Sequence, residues 1–98
     1  MADVRWTPQA SDDLESIARF ISRDSPRYAQ LIVIDIVGAI DRLSTFPQSG
    51  RIVPERNDPA LREIIQGQYR IVYRTKPDLV EILTVHHGAR LLDPDRLV

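Results

Sequence analysis

Apolar residues recur at two different spacings along the chain, and the change of spacing divides it into two halves. Up to about residue 46, they recur every three or four positions, as on one face of an α-helix. After residue 60, short runs alternate apolar and polar positions, which is the pattern of half-buried strands. The sequence therefore predicts an α+β domain, with helices first and most of the sheet after them.

Two amphipathic helices are predicted, and each begins at a proline preceded by a hydroxyl side chain. Thr7-Pro8 and Ser25-Pro26 both place an N-cap residue before a proline in the first helical position. The first helix should run for about four turns, and the second should end near Phe46. The β-branched centre of the second helix would suit a strand, but the helical period continues beyond it. The core positions by this period are Ala10, Leu14, Ile17, Ala18 and Ile21, then Ala29, Ile32, Val33, Ile36, Ile40 and Leu43.

One strand is predicted before the helices and three after them, which gives the order βααβββ. Residues 47–59 read as a polar connection, and the tail 91–98 has little to anchor it. Short links make the last three strands antiparallel neighbours, with the helical hairpin on one face of the small sheet. The predicted strands are Asp3 to Trp6, Leu61 to Ile65, Tyr69 to Arg74, and Leu79 to His86 or His87. The predicted core between helices and sheet is Trp6, Leu14, Ile17, Ile36, Ile40, Ile71 and Leu83.

Length and composition narrow the class of protein further. A chain of 98 residues is one domain with one core, here residues 1–98. It has no cysteine, which excludes disulfides and thiolate metal sites. No apolar run approaches the roughly 20 residues of a membrane helix, and the first residues do not resemble a signal peptide. We therefore expect a cytoplasmic protein, and the sequence indicates no metal and no cofactor site.

The distribution of charge is more informative than its sum. The net charge of −1 argues against a generic nucleic-acid-binding domain, which is usually basic. Residues 51–76, however, contain six basic and three acidic residues, a local charge of +3. Strand alternation projects Arg70 and Arg74 to one face, and Arg51 precedes them. These arginines could bind an anionic target, or they could pair with nearby acids such as Glu63 or Glu81.

Six short segments in a fixed order carry a family resemblance. They are Trp6-Thr7-Pro8-Gln9-Ala10, Phe46-Pro47, Gly50-Arg51-Ile52-Val53-Pro54-Glu55, Leu61-Arg62-Glu63-Ile64, Tyr69-Arg70-Ile71-Val72-Tyr73-Arg74 and Ile82-Leu83-Thr84-Val85-His86-His87. Together they resemble the RelE/ParE superfamily, the toxins of bacterial type II toxin–antitoxin pairs. The resemblance implies growth arrest and a partner antitoxin. RelE-like members cleave mRNA in the ribosomal A site, whereas ParE-like members poison DNA gyrase, and one fold serves both.

The candidate catalytic residues follow from the resemblance and from chemistry. Glu55, Arg70 and His87 stand where YoeB-type members of the superfamily carry their catalytic Glu, Arg and His. A metal-independent endoribonuclease needs a base, an acid and a cation, which these residues could supply. In a regular strand His86 points to the opposite face from His87. Gyrase-poisoning members also commonly have a histidine at this place, so His87 does not distinguish the two targets.

Three functions remain open, and we favour the first. A gyrase inhibitor, with Arg51, Arg70 and Arg74 contacting the target, agrees with the acidic net charge, since a ribosome-bound enzyme gains affinity from a basic surface. The alternative is a ribosome-dependent mRNA endonuclease, and a third is an inactive relative that binds antitoxin. For the antitoxin we predict a contact at Leu31 and Ile34, which fall on the far side of the second helix from its core stripe.

Overall fold

The computed structural model describes residues 1–88, and its elements follow the predicted order with one added strand. The predicted tail 91–98 lies outside the described residues. Strand β2 is the addition; it falls inside the segment that the sequence indicated as a polar connection. The elements are β1 Asp3–Trp6, α1 Pro8–Ser22, α2 Pro26–Asp41, a 3-10 turn Arg42–Ser44, β2 Arg51–Ile52, β3 Leu61–Gln66, β4 Tyr69–Lys76 and β5 Leu79–His87.

Both helices begin as the sequence predicts. The Thr7 hydroxyl accepts a hydrogen bond from the Ala10 backbone N–H at 3.2 Å, and a proline follows it in the first turn. The Ser25 hydroxyl accepts from the Tyr28 backbone N–H at 3.1 Å, again with a following proline. Each cap satisfies a backbone donor that has no partner within the helix. Local chemistry therefore sets where each helix starts.

The second helix ends earlier than its apolar pattern suggests. Its α-helical hydrogen bonding stops at Asp41, and residues 42–44 tighten into a 3-10 turn instead of continuing to Phe46. Leu43 is nevertheless buried. In a 3-10 turn, side chains three residues apart lie one above the other, so Leu43 stays on the same side as Ile40. The apolar spacing thus reports burial correctly, although it overestimates the length of the α-helix.

Within the described part of the chain, the sheet has five strands in the order β1-β5-β4-β3-β2. The first strand pairs parallel to β5, and all other neighbours are antiparallel. The two tight hairpins of the sheet each place a residue at positive φ, namely Gly67 at 59° and Asp78 at 59°. Gly67 is the first central residue of its turn, as in the type II′ turn that matches the twist of the strands it joins. Asp78 is the second central residue after Pro77, as in a type II turn. The helical hairpin follows β1 in the sequence and takes the chain from the edge of the sheet at β1 to the opposite edge at β2.

The main core fills the space between the two helices and one face of the sheet. Of the residues predicted for this core, Ile36, Ile40 and Ile71 are buried, and Trp6, Leu14 and Ile17 pack against them while partly exposed. Leu83 is the exception, because it packs in a small second cluster with Val53, Leu61 and Val72. The buried residues of the main core are Ala10, Ile36, Ala39, Ile40, Leu43, Ile71, Tyr73, Val80, Ile82 and Val85.

A bulge in β5 explains the position of Leu83. Tyr73 pairs with Ile82, whereas Val72 pairs with Thr84, so Leu83 is an extra residue in the ladder. Asp13 of α1 holds this irregularity, because its carboxylate accepts hydrogen bonds from the Thr84 hydroxyl at 2.5 Å and the Val85 backbone N–H at 3.1 Å. One extra residue reverses which face each later side chain occupies.

None of the helices within residues 1–88 is long and apolar enough to cross a membrane.

Candidate functional site

The face of the sheet turned away from the helices, called the far face below, carries the candidate charged residues. In β4, Ile71 and Tyr73 belong to the main core, whereas the alternate residues Arg70, Val72 and Arg74 project to the far face. The small apolar cluster around Val72 occupies one part of this face. The arginines lie on either side of it along the strand. Strand alternation therefore separates the charged residues from the main core.

Four of these residues form one ion cluster, which consists of Arg51, Glu55, Glu63 and Arg70. Glu63 of β3 is buried; its Oε2 accepts from Arg51 Nε at 3.0 Å and lies 2.8 Å from Arg51 Nη2. Its other oxygen, Oε1, accepts from Arg70 Nη2. Glu55 then binds the Arg70 guanidinium through both oxygens, Oε2 to Nη1 at 3.0 Å and Oε1 to Nη2 at 3.2 Å. The two positive and two negative charges of the cluster cancel.

Arg70 is the most enclosed member of the cluster after Glu63, with 8% of its surface exposed. Hydrogen bonding to Glu55 is the largest cause that raises the pKa of Arg70 above its ordinary value, Glu63 adds to it, and burial opposes it. The guanidinium therefore remains charged. Its Nε atom is buried and has no hydrogen-bond partner within residues 1–88. Burying such an atom costs free energy, and the carboxylate contacts of Nη1 and Nη2 offset that cost.

The other predicted target-binding arginines are also on or beside the far face. Arg51 lies in β2, directly opposite Glu63 in the strand register. Arg74 Nη1 lies 3.6 Å from a carboxylate oxygen of Asp58. Each arginine that the sequence suggested for target binding is thus paired with an acid. Glu81, the other acid considered for Arg70, instead pairs with Arg5 at 2.7 Å and Lys76 at 2.9 Å.

The two histidines occupy faces opposite to those expected for a regular strand. His87 packs edge-on against the Tyr69 ring, with ring centres 5.8 Å apart, on the helix side of the sheet. His86 stands directly opposite Arg70 in the register of β4 and β5. Side chains of directly opposite residues share a face. Of the predicted catalytic residues, the structure therefore brings Glu55 and Arg70 together, and it does not bring His87 to them.

The bulge is the physical reason for this exchange of histidines. Without the extra residue Leu83, simple alternation from Ile82 would put His87 on the far face. The expected position of His87 depended on that regular alternation. One signal against it was present, since Thr84 is a polar residue at a position that regular alternation directs into the main core. Glu63 was considered only as an ion-pair partner, although it is the residue on which the cluster converges.

Gly50 shapes the edge of the site by allowing a close approach of two chain segments. Its backbone N–H donates to the Tyr73 hydroxyl at 3.0 Å. A Cβ atom at this position would lie 2.4 Å from the backbone oxygen of Glu63 and 2.7 Å from the Tyr73 hydroxyl. Only glycine can therefore lie here without a shift of the backbone. This contact fixes the start of β2 and with it the position of Arg51.

The helical hairpin carries a different kind of surface, which is apolar and lies away from the ion cluster. Leu31 and Ile34, the predicted antitoxin contacts, are 50% and 65% exposed. Ile34 borders a groove of about 630 Å³ between the two helices, and Leu31 is not among the residues that line it. Phe20 and Tyr28 are further exposed aromatics on the same two helices. Exposed apolar surface of this kind is typical of a protein contact.

The chemistry that the far face can perform is recognition of oxygen anions and, with a proton donor, acid–base work. Arginine forks bind carboxylates or phosphates through two parallel hydrogen bonds. His86 is 7% exposed and lies directly opposite Arg70 in the strand register, so the register assigns an imidazole to the same face as the cation. Within residues 1–88, no three His, Cys, Asp or Glu side chains lie close enough together to hold a metal ion.

Comparisons with known proteins agree with this architecture. Residues 4–92 match the model of the family described as "ParE toxin of type II toxin-antitoxin system, parDE". Toxin RelE2 of Caulobacter vibrioides is 36% identical over 92 residues, which cover 93% of this chain and all of the relative. Putative toxin Y4kP of Sinorhizobium fredii is 41% identical over 87 residues, 87% of this chain and 86% of the relative.

Two solved structures share the fold. A chain of the chromosomal ParDE toxin–antitoxin system of P. aeruginosa superposes with a TM-score of 0.74 at 24% identity, covering 89% of this chain and 96% of the other. A chain of the RelBE2 toxin–antitoxin complex of Mycobacterium tuberculosis has a TM-score of 0.66 at 27% identity, covering 88% and 96%. The chain therefore belongs to the ParE toxin family and is a toxin of a type II toxin–antitoxin system.

Proposed function

We propose that this toxin arrests growth by inhibiting DNA gyrase. The observation that carries the proposal is the separation of His87 from the Glu55–Arg70 pair, since the three residues suggested for ribonuclease chemistry lie on two faces of the sheet. Acid–base catalysis needs its groups within hydrogen-bond reach of one reacting center. Inhibition by binding has no such requirement. The match to the ParE family supports the same target.

The charge of the far face also supports a protein target over ribosomal RNA. Arg51, Arg70 and Arg74 each lie within ion-pair distance of a carboxylate. The chain as a whole has a net charge of −1. Binding among RNA phosphates draws most of its affinity from positive charge that releases counterions. A surface with balanced charges gains little from that effect.

The second candidate is a ribosome-dependent mRNA endonuclease, and one observation favours it. His86 is directly opposite Arg70 in the strand register, which assigns an imidazole to the same face as the Arg70–Glu55 pair. The relative named RelE2 and the RelBE2 neighbour agree with this alternative at the level of the superfamily. In an endonuclease, His86 would have the catalytic role that the sequence suggested for His87.

Two assays performed side by side test the target. Purified toxin is added to a DNA gyrase supercoiling reaction, and separately to in vitro translation with cleavage mapped by primer extension. We expect loss of supercoiling and no cleavage of mRNA. Cleavage by the parent protein with unaffected supercoiling would contradict the gyrase proposal.

The histidine pair provides matched variants for the same assays. For an endonuclease, His86→Ala should reduce cleavage by about 100-fold or more, since general acid–base catalysis contributes roughly that much, while His87→Ala should leave most of it. A gyrase inhibitor transfers no proton to or from its target. His86→Ala, His87→Ala and Glu55→Ala should therefore leave inhibition intact as long as each variant folds. Growth arrest in cells that carry each variant gives an independent measurement.

We also propose that a cognate antitoxin neutralises the toxin by covering the groove of the helical hairpin together with the exposed Leu31 and Ile34 of α2. An amphipathic helix laid into an apolar groove is one common mode of peptide recognition. Leu31→Glu combined with Ile34→Glu should weaken the complex by at least tenfold, because charges would then be buried on binding. Ile65→Glu is the matched control: Ile65 is equally exposed but lies in β3, away from the helices. Calorimetric titration with the antitoxin measures both, and equal weakening by both would contradict this placement.

A further inference from the structure

Helix α1 takes over as the neighbour of β5 where the first strand ends. In the described part of the chain, β5 pairs with β1 only as far as Ile82, which lies opposite Trp6. The Thr7 hydroxyl, which caps α1, donates to the Ile82 backbone oxygen at 2.7 Å and lies 3.2 Å from the backbone oxygen of Leu83. The start of the helix is therefore attached to β5 at the bulge itself.

A second attachment follows on the other side of the bulge. Oδ2 of Asp13 accepts from the Thr84 hydroxyl at 2.5 Å and from the Val85 backbone N–H at 3.1 Å. Thr84 and Val85 are each 1% exposed, so water cannot easily replace the carboxylate as their acceptor. A hydrogen bond to a charged group is among the stronger ones, and a buried donor that loses it is destabilising.

The position of the Thr84 hydroxyl depends on the register of the strand. Moving β5 by one position along β4 would displace this hydroxyl by about 3.3 Å, the rise of one residue in a strand. A displacement of that size exceeds the tolerance of a hydrogen bond. The contact between Thr84 and Asp13 therefore favours the bulged register over its neighbour.

The competing register is the regular one, in which β5 has no extra residue. Counting from the last pair before the bulge, Arg70 would then face Val85 instead of His86. Ile71 would face Thr84, whose hydroxyl would enter the apolar core, where a buried polar group needs a partner. Val85 would leave that core for the far face. The two registers thus differ in the side chain that stands beside Arg70.

We propose that Thr84 is a positioning residue of the far face. Its hydroxyl contact with Asp13 selects the bulged register, and this register presents His86, rather than Val85, opposite Arg70. Thr84 acts through the backbone of β5, because its own hydroxyl is bound to α1. The inference goes beyond the choice of target, since it concerns which side chain gyrase or the ribosome would meet on this face.

The experiment determines the pairing of β4 and β5 by NMR in the full chain, for the parent protein and for Thr84→Val. Valine keeps the shape of the side chain but loses the bond to Asp13, and it can enter the apolar core without burying a hydroxyl. We expect the regular register to become at least about tenfold more populated than in the parent. Its signature is a set of cross-strand NOEs from Arg70 to Val85 in place of those to His86.

Saturation-transfer exchange extends the measurement to a register that is only a minor state. If neither the NOEs nor the exchange data differ between Thr84→Val and the parent, the proposal is overturned. If Thr84→Val does not fold by circular dichroism, Thr84→Ala replaces it, with the same expected change of pairing.

Two matched variants separate the hydroxyl contact from a general effect on the sheet. Thr84→Ser restores a hydroxyl at the same position and should keep the pairing of the parent. Thr75→Val removes a hydroxyl from β4, one that lies 3.4 Å from the Ala60 backbone oxygen, and should keep it as well. A regular register populated as strongly in either control as in Thr84→Val would also overturn the proposal.

Discussion

The two faces of the sheet are built by the same strands but are held by different interactions. On the helix side, Ile71 and Tyr73 of β4 pack with Ile36 and Ile40 in an apolar core without exposed surface. On the far face, Arg70 and Arg74 of the same strand enter ion pairs with acids that range from buried to partly exposed. Burial of apolar surface stabilises a protein whatever the relative orientation of the buried groups. A buried ion pair is stable only when all of its charged partners are in place.

This difference indicates how stability and function are distributed in the molecule. The helix side can supply most of the free energy of folding, because burial of apolar surface is the dominant favourable contribution. The far face adds little net stability, since desolvation of Glu63 and Arg70 offsets much of their attraction. Its charged groups are therefore better explained by recognition than by folding.

Truncation in the helix-side core should have the largest effect on stability. Ile40→Ala should reduce the free energy of unfolding by about 2–5 kcal/mol, because it leaves a cavity where the side chain is fully buried. Leu31→Ala, half-exposed on the same helix, should change it by less than about 0.5 kcal/mol. Urea denaturation measures both. A loss below about 1 kcal/mol for Ile40→Ala would show that the core is not where the structure places it.

Neutralising the center of the ion cluster should come next. Glu63→Gln should cost about 3 kcal/mol of unfolding free energy, since it leaves Arg51 and Arg70 with a single carboxylate between them. Glu81→Gln, which interrupts a more exposed set of ion pairs, should cost no more than about 1 kcal/mol. Equal costs for the two variants, again by urea denaturation, would remove the distinction between the buried cluster and a surface pair.

A methyl group at Gly50 should have an intermediate effect. Gly50→Ala should destabilise by about 1–3 kcal/mol, because the added Cβ would overlap the Glu63 backbone oxygen. Gly38→Ala is the control: a Cβ there meets nothing nearer than 4.0 Å, and alanine favours a helix. Thermal unfolding should show a lower melting temperature for the first and an unchanged or higher one for the second.

The smallest expected effect is a dependence of stability on pH. Lys76, and next Arg5, lower the pKa of Glu81 below its ordinary value. Stability from a depressed carboxyl pKa is present above the unfolded-state pKa of about 4.3 and is lost as pH falls through the lower folded-state value. The difference in unfolding free energy between parent and Glu81→Gln should thus be constant near neutral pH and shrink in acid. If the difference instead grew below about pH 4, the lowered pKa of Glu81 in the folded state would be contradicted.

Much of the fold could be predicted because local chemistry determines it. The caps at Thr7 and Ser25 fixed both helix starts, and the turns at Gly67 and Asp78 fixed the hairpins. Periodicity assigned most core residues correctly. Strand β2 could not be predicted, since two residues carry no periodicity and pair with β3 only because Gly50 permits the approach.

The candidate site was harder to predict because it depends on register and on distant contacts. Alternation placed Arg70 and Arg74 on the far face, and the structure agrees. The meeting of Glu55 with Arg70 depends on the path of a loop, which no local pattern determines. The histidine on that face depends on a bulge held by Asp13, a residue 72 positions before Val85 in the chain.

The bulge at Leu83 also limits how residue roles may be transferred between homologues. An alignment compares positions along the chain, but the face on which a strand residue lies depends on how many residues precede it in the ladder. Two homologues with the same His-His pair would present different histidines to the equivalent arginine if only one of them had the bulge. A histidine that aligns with His87 is therefore not its functional equivalent until the strand pairing of both proteins is known.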